Sequence, residues 1–282
     1  MRIFELIRYS GGLLRGRRLS VALVCMLPFT AGLLLRSAEG CIYTMLVYFG
    51  GIKPLELFSG GNIAVPLIAA AFTAVRWTAC APLGYTAAYR LSAICGCVPE
   101  RPLFDVLNED NSIRRSIAAQ FWTKLFSMLA LAPAAFFGIT AYSLFTSGNG
   151  SGIMALHASL LTVLSIGIWL SLKLSFAAVP FLLVRYPGST ALRTVMYSVR
   201  FMSGRRSVLL RLMLIFLPEL FTIGAAPFAA ARIKTAFALS IDIFTKEEEY
   251  LEGIENDRRH RRSDRPAKLP RRKKGCFKTA PH

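Results

Sequence analysis

Carboxylates are scarce in this chain. Of 282 residues 16 are Asp or Glu, against 34 Lys and Arg, and charged residues of both signs make up only 18%. A soluble domain carries about 25%, so an ordinary water-facing surface is excluded for much of the length. Histidine is limited to His157, His260 and His282, too few and too scattered for a His-based metal site. His157 stands alone near the start of an apolar run and reads as an interfacial polar residue. The cysteines are Cys25, Cys41, Cys80, Cys95, Cys97 and Cys276, most of them in or beside apolar runs. Cys95-Gly96-Cys97 sets two thiols closer than the usual zinc-ligand spacing, so the set reads as small apolar helix residues.

Motifs are missing too. No Gly-x-Ser-x-Gly occurs, and neither a Walker-type phosphate loop nor His-Glu-x-x-His does. With no paired nucleophile and base, the expectation is a protein that is not an enzyme and takes no cofactor. The first apolar run is followed by Leu33-Leu34-Leu35-Arg36 in place of a small-residue cleavage site, so it reads as an uncleaved helix and not a signal peptide. Asn149-Gly150-Ser151 is a formal glycosylation sequon but reads as a turn in a bacterial-looking chain.

What the chain has is apolar runs and positive charge. A helix needs about 20 apolar residues to cross a bilayer, and six stretches come near that: 19–35, 63–85, 125–145 (or from Phe121), 153–172 with a pattern that runs on to Val184, 208–223 and 225–244. The expected fold is therefore all-α, a polytopic membrane bundle of about six transmembrane helices. Residues 1–18 form an amphipathic cytoplasmic segment, 19–245 the transmembrane domain, and 246–282 a basic tail too poor in apolar residues to fold, with a possible helical extension through the acidic part, 246–255. Residues 41–52 are too short for a span and read as interfacial or re-entrant. Residues 99–124 read as a polar loop, 146–152 as a Gly- and Asn-rich turn, and 224–227 as a tight reversal.

The basic residues fix an orientation. On six spans, 29 of the 34 Lys and Arg fall on one side, with Arg36 and Lys53 opposite and Arg76, Arg232 and Lys234 inside spans. The positive-inside rule then puts both termini in the cytoplasm, in a multi-pass cell-membrane protein.

One block resembles a known family. Tyr186-Pro187, an apolar helix reaching Ser198, then Met202-x-Gly204 with Arg205, resembles the core of an uncharacterised family of integral membrane proteins from Gram-positive bacteria. Gly84-Tyr85 to Leu91 and Leu103-Phe104-Asp105 resemble it more weakly, and Pro227-Phe228 departs from the family's Pro-Tyr. The similarity covers roughly residues 75–244. It implies a six-helix membrane domain and no activity.

Ionisable groups at membrane depth are costly unless paired or wetted, which makes Arg76, Glu219, Arg232 and Lys234 the candidate polar cluster. Glu219 and Arg232 are placed to pair across the reversal. All four residues together would make a cavity for an anionic headgroup or solute. Asp242 lies near the inner end of the last run. In 185–206, Leu192, Val195, Val199 and Met202 recur at helical spacing with Arg193, Arg200, Arg205 and Arg206 on other faces, an amphipathic helix for the inner leaflet. Those arginines, with Arg271, Arg272, Lys273 and Lys274 of the tail, are the candidate lipid contacts. The basic runs lack interleaved aromatics, so no nucleic acid is expected. The leading reading is a non-enzymatic membrane accessory or scaffold engaging anionic lipid or a membrane-protein partner. The alternative is a small transporter or channel subunit using Arg76, Glu219 and Arg232.

Overall fold

The computed structural model describes residues 3–50, 64–108, 111–147, 152–221 and 226–263, and among them the protein is all-helical. The helices are α1 (Ile3–Leu13), α2 (Arg18–Gly50), α3 (Ala64–Ile94), α4 (Leu103–Asn108), α5 (Ser112–Ser147), α6 (Gly152–Phe176), α7 (Val179–Arg185), α8 (Ala191–Phe201), α9 (Arg206–Phe221) and α10 (Ala226–Ser263). The chain divides into two compact units, Met1–Ile241 and Asp242–His282.

Among the described residues four stretches are long and apolar enough to cross a membrane: Arg18–Phe49, Pro66–Ile94, Ser112–Thr146 and Gly152–Arg185. The last two of the six expected spans do not reach that standard. Helix α9 has 16 residues, a rise of about 24 Å against a hydrocarbon core of about 30 Å. The opening of α10 is broken by Arg232, Lys234 and Asp242.

Other boundaries move for local reasons. The run 19–35 and the stretch expected to re-enter from residue 41 are one helix as far as Gly50. The polar residues between them contain no proline, and they brace the helix: Tyr43 Oη donates to Glu39 Oε1 at 3.2 Å and Thr44 Oγ1 to the Gly40 carbonyl at 2.8 Å. The supposed loop 99–124 contains α4 and the first turns of α5. The helical extension expected through 246–255 is present, and α10 runs on to Ser263. The extension is supported at its start by Lys246 Nζ, 2.8 Å from Asp242 Oδ2 one turn back. Residues 264–282, with Arg271, Arg272, Lys273 and Lys274, lie outside the described residues.

Two glycines set turns between helices. Cys95-Gly96-Cys97 is the cap of α3: Gly96 has φ +78°, Cys97 N donates to the Ser92 carbonyl at 2.9 Å and Gly96 N to that of Ala93 at 3.0 Å. This is the bonding of a left-handed C-terminal cap, and it explains the tight cysteine spacing without a metal. Gly204, φ +79°, lies in the turn between α8 and α9, where Arg205 N donates to the Met202 carbonyl at 3.1 Å. Pro187 lies just past the end of α7 at Arg185 and cannot continue that helix. The exposed carbonyls nearby are taken by Arg115, whose Nη2 donates to Tyr186 at 2.9 Å and Nε to Ser189 at 3.1 Å.

Packing within residues 1–241 has two styles. Along the long helices it relies on small residues that let backbones approach. Ala134, Ala141, Ala155 and Ala158 are buried in the α5–α6 hairpin, where a methyl added at Gly138 would lie 3.6 Å from Thr162. Between α2 and α3, Cys80 Sγ donates to the Pro28 carbonyl at 3.4 Å. The large buried side chains cluster elsewhere: Leu14, Val21, Leu91, Val106, Leu182, Val195, Met202, Leu209, Leu212 and Phe216. Of these, Leu91, Val106, Leu182 and Val195 come from α3, α4, α7 and α8, which pack together where α3 ends and α5 begins. Arg17 and Arg90 mark the same level, both reaching Glu100 Oε1, at 3.4 and 2.8 Å.

Helix α8 buries Ala191, Thr194, Val195, Ser198 and Phe201. Val195 and Met202, expected on the lipid side of an amphipathic helix, are fully buried in the protein, while Leu192 stays partly exposed. The apolar face is thus spent on the chain's own core.

Candidate functional site

The four residues expected as one polar cluster are found in three places. Arg232 and Glu219 pair: Arg232 Nη1 lies 3.0 Å from both Glu219 oxygens, and the guanidinium stacks 5.1 Å above the buried Phe216 ring. Their side chains are 36% and 42% exposed, so protein encloses neither fully. They line a cavity of about 620 Å³ together with Arg18, Leu14 and Phe228. Lys234 turns away from them and donates to the Cys25 carbonyl at 2.9 Å, bridging α10 to α2. Arg76 joins neither and lies close enough to Lys124 for their charges to repel.

Of the candidate lipid contacts, Arg193 and Arg200 are exposed on α8. Arg205 stacks on Phe201 at 5.2 Å. Arg206 donates to Ser171 Oγ at 2.6 Å and to the Val199 carbonyl at 3.4 Å, and so ties α9 to α6 and α8. Among the described residues no group of three His, Cys, Asp or Glu is placed to hold a metal.

Sequence reasoning missed a second cavity. About 360 Å³ in volume, it opens between α3, α5, α6 and α7 and is lined by Lys124, Lys173, Gln120, Thr123 and Ser127 over the apolar walls of Phe176, Val179 and Leu183. Lys173 lies over the Trp169 ring at 4.6 Å, and Trp169 Nε1 donates to Ser127 Oγ at 3.0 Å, so one indole positions both a cation and a hydroxyl. Lys173 and Arg76 both repel Lys124. The pocket is therefore cationic, part polar and part apolar, with no carboxylate among its lining residues. The sequence carried a signal for it. Lys124 lies 22 residues before Thr146 and Lys173 21 residues after Gly152, so the packing of α5 against α6 brings them to one depth.

No protein-family model matches this chain, and no curated protein or solved structure matches it either.

Proposed function

We propose that the protein is a multi-pass cell-membrane protein with four spans and both termini in the cytoplasm, and that it acts without catalysis as an accessory or scaffold holding anionic lipid, alone or with a membrane partner. Charge distribution carries this reading. With α2, α3, α5 and α6 as spans, 31 of the 34 Lys and Arg belong to the cytoplasmic side, leaving only Arg36, Lys53 and Arg76. The bias is stronger than on six spans, and polybasic surfaces of this kind attract anionic leaflets by about 1 kcal/mol per basic residue.

Four crossings are supported over six by the level of α10. Lys234, eight residues into α10, bonds to Cys25, seven residues into α2. Arg18 and Arg232, near the starts of the same helices, line one cavity. If α9 and α10 were a fifth and sixth span, α2 would open at one face of the bilayer and α10 at the other. The reading departs here from the six helices implied by the resemblance to the Gram-positive family. A transporter built on Arg76, Glu219 and Arg232 has less support, because Arg76 stands apart from the other two.

The test is reconstitution. Purified protein should float with vesicles containing phosphatidylglycerol at low salt and show no solute flux across sealed proteoliposomes. Anion flux that disappears with Arg76→Gln would overturn the accessory reading in favour of a transporter.

A further inference from the structure

We infer that the cavity bounded by α3, α5, α6 and α7 binds a phosphate group through Lys124 and Lys173. The inference rests on the membrane placement proposed above and names the ligand chemistry of one site within it. Neither Lys124 nor Arg76 has a carboxylate partner among the described residues, and the nearest strong electrostatic neighbours of Lys124 are cations. Lys124 and Lys173 at the inner ends of spans, with Arg76 deeper in α3, are costly unless water or an anion compensates them. Lysine ammonium groups take phosphate as point charges, and the amide of Gln120 with the hydroxyl of Ser127 supplies further donors along the same wall. Ser127 already accepts the Trp169 indole proton, which leaves its own proton to donate.

The shape favours a lipid over a soluble ester. The polar residues lie on α5 and at Lys173, whereas Phe176, Val179 and Leu183 form an apolar wall beside them. The outer faces of α5 next to Lys124 are apolar as well, with Leu125 and Leu129 exposed. A phospholipid phosphate sitting between the lysines would therefore keep its acyl chains in hydrocarbon. Basic pockets between transmembrane helices on the cytoplasmic side suit anionic headgroups for this reason.

Native mass spectrometry of the full chain in detergent tests the inference. Phosphatidic acid and phosphatidylglycerol are one arm, phosphatidylcholine the reference, and inorganic phosphate with glycerol 3-phosphate the other arm. One anionic lipid should stay bound per chain, phosphatidylcholine should not, and Lys124→Gln with Lys173→Gln should weaken retention about thirtyfold. Lys124→Arg with Lys173→Arg should retain it. Binding of glycerol 3-phosphate equal to that of phosphatidic acid would assign the site to soluble phosphates and keep the phosphate chemistry. Should the Gln variant not fold, a chain with Trp77→Phe and Trp122→Phe leaves Trp169 as the reporter. Its emission should shift as phosphatidic acid draws Lys173 off the ring, and no shift at saturating lipid would overturn the site. If the Gln pair keeps its lipid while Arg193→Gln with Arg200→Gln lowers vesicle attraction, the pocket is wrong and the broader lipid reading stands. If neither pair changes anything, both fail.

Discussion

Helix α6 carries Ile153, Leu156, Leu160, Val163, Leu164, Ile166 and Ile168 and leaves every one of them exposed. Residues 226–241 of α10 carry Arg232 and Lys234 and bury Ala229, Ala231, Thr235, Ala236, Phe237, Ala238, Leu239 and Ser240. In water the order would be reversed, with the more apolar helix in the core. The difference teaches which solvent each helix was built for. Hydrocarbon accepts the isoleucines and leucines of α6 at no cost, so they need no protein cover. The arginine, lysine and hydroxyls of α10 need partners that lipid cannot supply, and Glu219, the Cys25 carbonyl and carbonyls of α10 itself supply them. Small residues let that enclosure close: alanines dominate the buried face, and Thr235 and Ser240 satisfy their hydroxyls on carbonyls one turn back, at 2.8 Å each.

A charge on the exposed face of α6 is the strongest way to break the comparison. Ile166→Arg should cost about 2.5–3.5 kcal/mol of insertion and largely remove the protein from the membrane fraction. Normal yield would mean that this face meets water or protein. In α10 the opposite kind of change should hurt. Ala236 is fully buried, so Ala236→Leu overpacks the core by about 1–3 kcal/mol and should lower the detergent melting temperature, whereas Ile166→Leu should leave it nearly unchanged. Equal effects of the two would erase the distinction between the helices.

Smaller effects sharpen it. Because the Glu219–Arg232 pair is more than a third exposed, Glu219→Gln should cost less than about 1 kcal/mol, and the charge-swapped double variant should recover part of that in the same melt. A loss of several kcal/mol would place the pair in hydrocarbon after all and revive a spanning α10. Least of all, Lys246→Ala removes an i,i+4 partner of Asp242 and should cost about 0.3–0.5 kcal/mol, read as a small loss of helicity by circular dichroism.

The long apolar runs of α5 and α6 were legible in the sequence because hydrocarbon imposes a length, and the Gly-rich turn between them fixed their hairpin. The pairing of Glu219 with Arg232 was legible as well, from their nearly equal distances to the reversal at 224–227. What a hydropathy pattern cannot separate is the inside of a membrane from the inside of a protein. The mostly apolar 16-residue α9 and the alanine-rich opening of α10 satisfy either. The distinguishing marks were present in composition: small residues in place of Leu and Ile, and two cations within three positions. Helix α8 was misread for a related reason. Its stripe through Val195 and Met202 was real, but amphipathicity does not say whether lipid or the chain's own core receives the apolar face. Lys124 and Lys173 passed unnoticed because each merely bounds an apolar run, and only the hairpin brings them together.

The central claim is that α9 and α10 stay on the cytoplasmic side, and the start of α10 tests it directly. Phe228 is partly exposed there and shares a cavity with Arg18. In a chain whose own cysteines are replaced, Phe228→Cys should react with a membrane-impermeant maleimide only after the cells are opened, while a cysteine at Gly150 reacts in intact cells. Labelling of both positions from outside would restore six spans and contradict the account.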